Sequence, residues 1–215
     1  MNVLHSPWRQ YFPALNAMAA KQQVWLDSAA TAQKPQAMLD CLLDYYQNGA
    51  ANVHRAQHQP GEHATAAFEQ ARNTCANWIN AADGTVVFTK GSTESLNLLA
   101  YSLEHEFSAG DEILIGAHEH HANLLPWQQL AKRMAVQLRI IPLTGDGALD
   151  LVAGQELLGP RTRLLAISPL SNVLGRIHDM SALLQRAREL DVLTVIDGAQ
   201  YAVHHQPDKH RLDAD

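Results

Sequence analysis

The strongest constraint on the fold is a rhythm in the sequence. Short apolar runs alternate with stretches of helical spacing: "TVVFT" (85–89), "DEILIGA" (111–117), "QLRIIPL" (137–143), "TRLLAIS" (162–168) and "LTVID" (193–197). These runs are strand-sized and show no clear in–out alternation, the pattern of strands covered by helices on both faces of a parallel sheet. Between them lie "STESLNLLAYSLEHEF", "ANLLPWQQLAKRMA", a short helix near Leu149 to Leu158, and "MSALLQRARELD". Repeated strand–helix–strand units make the fold class α/β, with a mostly parallel sheet flanked by helices. No internal repeat or low-complexity segment interrupts the pattern.

Upstream, "VWLD" (24–27) is a short apolar run ending in a turn. Pro35 then opens a helix that runs to about Asn48, with Met38, Leu42, Tyr45 and Tyr46 at helical spacing and Gly49 as the stop. A loop, "GAANVHRAQHQPG", precedes a second helix over about Glu62 to Asn80. Ala64, Phe68, Ala71, Cys75, Trp78 and Ile79 form one face of it. The organisation read from this is an N-terminal segment and helix over 1–50, followed by a large domain over 51–215.

A chain of 215 residues with 47% hydrophobic composition can bury a substantial core. It contains no run of about 18 apolar residues, so no membrane span is expected. The start, "MNVLHSPWRQYFPAL", lacks the basic and apolar regions of a secretory signal. A formal net charge of -6 with scattered basic residues argues against nucleic acid as a partner. Cys41 and Cys75 lie in helical patterns far apart in sequence and read as buried thiols of a reducing compartment, which places the chain in the cytoplasm.

In parallel sheets of this kind ligands bind at the carboxyl ends of the strands. The unusual polar residues collect there: Lys90 to Glu94, His118 to Asn123, Ser171 and Asn172, and Asp197 to Gln200. In "TKGSTES" a glycine precedes two hydroxyls and a helix. Gly91 allows close backbone approach, and the unpaired N–H groups of the first turn favour an anion. Ser92 and Thr93 therefore suit a phosphate, or one of them simply caps the helix. Asp197 ends an apolar strand, where a carboxylate calls for a cationic partner such as a protonated heterocycle or an Arg; otherwise it is a turn aspartate before Gly198. "HEHH" (118–121) fails the HExxH zinc pattern, because Ala122 stands where the second histidine belongs. On an extended segment His118 and His120 share a face; two histidines can bind a metal but lack a third ligand nearby, whereas an imidazole at a strand end can also stack on an aromatic ligand. His54 and Arg55 in "NVHR" offer a clamp for a carboxylate, or incidental loop charge.

Six stretches occur in order: "LDSAATAQKP", "NVHR", "TKGSTESLN", "EHHANLLPW", "SNVLG" and "DGAQ". Together they resemble the pyridoxal-phosphate-dependent cysteine desulfurases of the class V aminotransferase superfamily, in the cysteine desulfurase and selenocysteine lyase group. The resemblance implies the large domain of a fold-type-I homodimer with pyridoxal 5'-phosphate as cofactor. It assigns Ser92 and Thr93 to the phosphate, His120 to stacking on the pyridine ring and Asp197 to the pyridinium nitrogen. Asn172 and Gln200 fall near the ring's phenolic oxygen, and His54 and Arg55 line the substrate side. The reaction implied is conversion of L-cysteine to L-alanine, with sulfur passed as a persulfide to an acceptor protein, as in iron–sulfur cluster assembly. No metal is expected.

The sequence also departs from the family. The Schiff-base lysine of an "SGHK" motif and the acceptor cysteine are absent, and Lys209 precedes the place of that motif. The resemblance thus implies a chain truncated before the end of the large domain, lacking the small C-terminal domain and inactive alone. Rival readings are a cysteine sulfinate desulfinase or selenocysteine lyase, a non-catalytic cofactor-binding module, and a metal protein using His118 and His120.

Overall fold

A computed structural model describes residues 6–55, 57–81 and 86–209. They form two compact units, one through Ala71 and one from Arg72 onward.

The first unit contains a 3-10 turn at Pro7–Tyr11, α1 (Pro13–Ala20), α2 (Gln36–Gln47) and the start of α3 (Gln59–Trp78). Pro35 is the N-cap of α2, as its fixed φ suits. Within this unit Leu42, Leu43 and Tyr46 of α2 stay exposed, and Cys41 is exposed beside them. Cys75 on α3 is exposed as well, whereas its neighbour Ala76 is buried. Both cysteines were expected to be buried. Helical spacing shows that a face is apolar, but burial needs a neighbour to cover it.

The second unit is built on four parallel strands: β1 (Glu112–Gly116), β2 (Gln137–Ile141), β3 (Thr162–Ile167) and β4 (Leu193–Ile196). Their order is β2-β1-β3-β4. Helices α4 (Ser92–Ser102), α5 (Leu125–Met134), α6 (Leu151–Leu157) and α7 (Ser181–Glu189) accompany them, and α8 (Tyr201–His204) follows β4. Alternate residues of the central strands feed two cores. Ile113 and Ile115 of β1 and Leu164 and Ala166 of β3 pack with Ala100, Trp127 and Leu130 of α4 and α5. Leu114, Leu165 and Ile167 pack on the other face with Leu183, Leu184 and Ala187 of α7. This double burial explains why the strands read as continuous apolar runs. Local signals fix the helix ends: Asp150 Oδ1 accepts the Ala153 N–H at 3.0 Å to start α6, and Ala135 ends α5 with φ +55°. Among the described residues no helix is long and apolar enough to cross a membrane.

One expected strand does not form. Residues 86–89 of "TVVFT" lie outside the sheet, and Thr85 lies outside the described residues. Val87 is 72% exposed. The Arg72 guanidinium sits 5.0 Å from the Phe88 ring centre and donates to the Val86 carbonyl. A strand needs a partner edge, and this segment pairs with neither of the sheet's terminal strands, β2 and β4.

Candidate active site

The chain leaves β1 on one side of the sheet to reach β2, and leaves β3 on the other side to reach β4. The carboxyl ends of β1 and β3 therefore flank the point where the strand order reverses, the place where such sheets open a crevice. Polar side chains crowd this point. At the amino ends of the strands the buried Glu112 carboxylate receives Arg139 at 3.2 Å and Arg161 at 2.8 Å, both on Oε1.

β1 stops at Gly116 and the chain turns at once, with the Glu119 N–H reaching the Gly116 carbonyl at 3.3 Å. The extended segment assumed for "HEHH" is thus broken by a turn, and its histidines part. The His118 side chain is 2% exposed and that of Glu119 1%, whereas His120 is exposed. His118 and Glu119 both hold Ser168, the first residue after β3. His118 Nε2 lies 3.1 Å from the Ser168 carbonyl, which only accepts, so this nitrogen carries the proton. The Ser168 N–H donates to Glu119 Oε1 at 2.9 Å. The other oxygen of Glu119 accepts from Asn123 Nδ2 at 2.7 Å, and Asn123 Oδ1 accepts from the fully buried Trp127 Nε1 at 2.9 Å. A side chain at Gly116 has no room here: a Cβ would stand 2.8 Å from Glu119 Oε1.

Burial dominates the electrostatics. It pushes the Glu119 carboxyl up to about 7, and the nearby Asp197 charge adds to the push, against the opposing hydrogen bonds from Asn123 and Ser168. Burial also lowers His118, although the Ser168 carbonyl opposes it. The His178 ring, 5.3 Å from that of His118, is lowered by burial and by His118 and Arg176. His118 Nδ1 and His178 Nε2 are buried without a hydrogen-bond partner. Both imidazoles are therefore held neutral.

Ser168 connects this cluster to β4. Its hydroxyl lies 3.0 Å from the Asp197 carbonyl, and the Asp197 N–H donates to the Ile167 carbonyl at 3.0 Å. Asp197 is buried. Its Oδ1 accepts the Ala199 N–H at 3.0 Å, and among the described residues its second carboxylate oxygen has no partner.

The other sequence-predicted residues take these places. Ser92 and Thr93 begin α4 and are exposed, and their hydroxyls make no hydrogen bond among the described residues. The N-cap is Gly91, with φ +152°, which leaves the first turn uncapped by a side chain. Instead Glu94 accepts the Lys90 N–H at 2.5 Å. The helix-cap alternative for Ser92 and Thr93 is thus not what the structure shows. α4 packs against the turn at His121–Asn123, just after His120. The Nδ1 of His120 accepts the Ala122 N–H at 3.1 Å, which fixes the ring. Asn172 is exposed after β3, and Gln200 precedes α8 after β4. His54 and Arg55 belong to the first unit. There His54 has φ +69°, takes Thr65 Oγ1 as acceptor for its N–H at 2.9 Å, and sets its ring 3.4 Å from Glu69. Arg55 is exposed. A cleft of about 780 Å³ lined by His178, Tyr201 and Asp208 contains none of these candidates. Among the described residues no group of three or more His, Cys, Asp or Glu is placed to hold a metal.

Sequence reasoning left His118 without a role and passed over Glu119 and Ser168. The available signal was the strand end itself: a glutamate beside an apolar strand needs buried donors, and Asn123 and Trp127 lie one and two helical turns beyond it.

These residues can be set beside known proteins. The aminotransferase class-V family model matches residues 24–215. A probable cysteine desulfurase of Pseudomonas putida is 58% identical over 211 residues, covering 98% of this chain and 53% of that protein. One of Pseudomonas aeruginosa is 56% identical over 213 residues, covering 99% and 53%. The crystal structure of the Escherichia coli cysteine desulfurase CsdA superposes with a TM-score of 0.86 at 38% identity, over 100% of this chain and 53% of that one. The apo cysteine desulfurase of Thermococcus onnurineus gives 0.91 at 34% identity, with the same coverage. The chain spans about half the length of the curated relatives it matches. Fold and family model agree, and the chain belongs to the aminotransferase class-V family.

Proposed function

We propose that this chain carries the cofactor-binding part of a pyridoxal-phosphate-dependent cysteine desulfurase. The observation that carries this reading is Asp197: a buried carboxylate at a strand end, with one oxygen held by Ala199 and the other open. An open acceptor on a largely buried carboxylate suits a cationic donor, and a protonated pyridine nitrogen is one. The uncapped start of α4, with the free hydroxyls of Ser92 and Thr93, fits a phosphate. Pyridoxal phosphate, when bound, supplies an electron sink for bond cleavage at the amino acid.

On this reading Ser92, Thr93 and the first-turn N–H groups hold the phosphate. His120, its tautomer fixed by the Ala122 N–H, provides the stacking imidazole. Asp197 keeps the ring nitrogen protonated, and Asn172 and Gln200 serve the phenolic oxygen. His54 and Arg55 serve the substrate, with Arg55 as the clamp for its carboxylate. The whole enzyme converts L-cysteine to L-alanine, hands sulfur to an acceptor protein, works in the cytoplasm and acts as a homodimer, with residues 51–215 supplying the large domain. The names of the relatives support the substrate class. The 215-residue chain contains no "SGHK" lysine, and on this reading it does not desulfurate cysteine by itself.

The test is titration of the purified chain with pyridoxal phosphate and pyridoxamine phosphate, followed by ring absorbance and calorimetry. Saturable one-to-one binding that Asp197→Asn weakens is expected. Absence of binding by the unmodified chain refutes the reading, and alanine release from cysteine by the chain alone refutes its predicted inactivity.

A further inference from the structure

We propose that His118 and Glu119 are positioning residues that grip Ser168 and thereby set His120 and Asp197 against the cofactor ring. This rests on the cofactor reading above. The two consecutive side chains take hold of opposite polar groups of one residue. Glu119 accepts the Ser168 N–H at 2.9 Å, and the His118 ring lies 3.1 Å from its carbonyl. Ser168 is thus fixed on the β1 side.

On the β4 side, the Ser168 hydroxyl lies 3.0 Å from both the Asp197 and the Leu170 carbonyls and shares its proton between them, and Ile167 holds the Asp197 N–H at 3.0 Å. Asp197 is therefore pinned at both ends of its backbone, and its carboxylate is aimed by the Ala199 N–H. His120 follows Glu119 directly, with its ring tied to Ala122. The two groups assigned to the ring are thereby joined through one serine. The chain of bonds runs on from Glu119 to Asn123 and Trp127, so the grip is anchored in the α5 core.

None of the linking side chains is open to solvent: His118, Glu119, Asn123, Trp127 and Ser168 are all buried. Such an array is rigid because any movement leaves a buried donor or acceptor without its partner. A residue that only filled space would not need both polar groups of Ser168. Groups that must meet a ring within a fraction of an ångström do need a support of this kind.

The test uses the full 215-residue chain and pyridoxamine 5'-phosphate, whose amine needs no lysine to bind. Glu119→Gln is expected to weaken binding about tenfold and to shift the ring absorbance that reports protonation of the pyridine nitrogen. In an Asp197→Asn background the same change is expected to add less than twofold, because Glu119 acts through Asp197. Ser168→Ala removes the hydroxyl that Asp197 and Leu170 share and leaves the backbone bonds in place. It is expected to behave alike, and it carries the test if Glu119→Gln does not melt cooperatively. Unchanged affinity and absorbance in Ser168→Ala overturn the proposal, and so does an equal loss from Glu119→Gln in both backgrounds, which marks a merely structural part. Binding by the unmodified chain tests the cofactor reading alone: its absence overturns both, whereas binding with indifferent variants overturns the grip only.

Discussion

Glu119 makes the stability of this chain depend on pH in a direction opposite to that of most carboxylates. Burial pushes its carboxyl from an ordinary 4.5 to about 7, so folding takes up a proton between those values. The stability this group contributes is complete below 4.5 and is lost as pH rises through 7. The gap corresponds to about 3 kcal/mol between pH 4 and pH 8. His118 and His178 work the other way. Burial lowers both, so the stability they contribute is present above their ordinary 6.5 and falls away in acid. The two trends offset each other in the unmodified chain, but a substitution separates them. Glu119→Gln keeps the shape and removes the titration, while both histidines remain. At pH 5 the two proteins differ little, because the protonated carboxyl, like the amide, has a single carbonyl oxygen to offer Ser168 and Asn123. By pH 8 the variant is the more stable by about 3 kcal/mol, because only the parent has lost the contribution of its protonated carboxyl. The assay is thermal melting of both proteins from pH 5 to pH 8, where the difference in midpoint should move by roughly 6–12 °C. A difference that stays level across this range refutes the assignment of a buried, proton-binding Glu119.

Two further substitutions probe the same cluster. Gly116→Ala sets a methyl 2.8 Å from Glu119 Oε1 and 3.2 Å from the His118 ring, so it should cost about 1–3 kcal/mol, read by urea titration. Trp127→Phe keeps the ring in the core but strips Asn123 Oδ1 of its donor. A loss of about 1–3 kcal/mol is expected in the same titration, and an unchanged midpoint would show that the bond contributes nothing.

What could be read from the sequence was what depends on neighbours close in the chain. The helix opening at Pro35 and the strands over 112–116, 137–141, 162–167 and 193–196 stand where the pattern put them, because period and caps are local. The polar residues at the strand ends were legible for the same reason, since a parallel sheet sends its carboxyl ends one way. The grip on Ser168 was not, because it joins residues 49 and 50 positions apart. The clearest contrast is between two runs of equal appeal, "TVVFT" and "TRLLAIS". Both are apolar, β-rich and bounded by polar residues, yet only the second pairs on both edges. Substitution measures the difference. Leu165 is fully buried in the core that the sheet shares with α7, so Leu165→Ala should cost about 2–5 kcal/mol. Val87 is 72% exposed, and Val87→Ala should stay within about 0.5 kcal/mol. Equal losses would mean that residues 86–89 are paired after all, and that the pattern had told the truth about both.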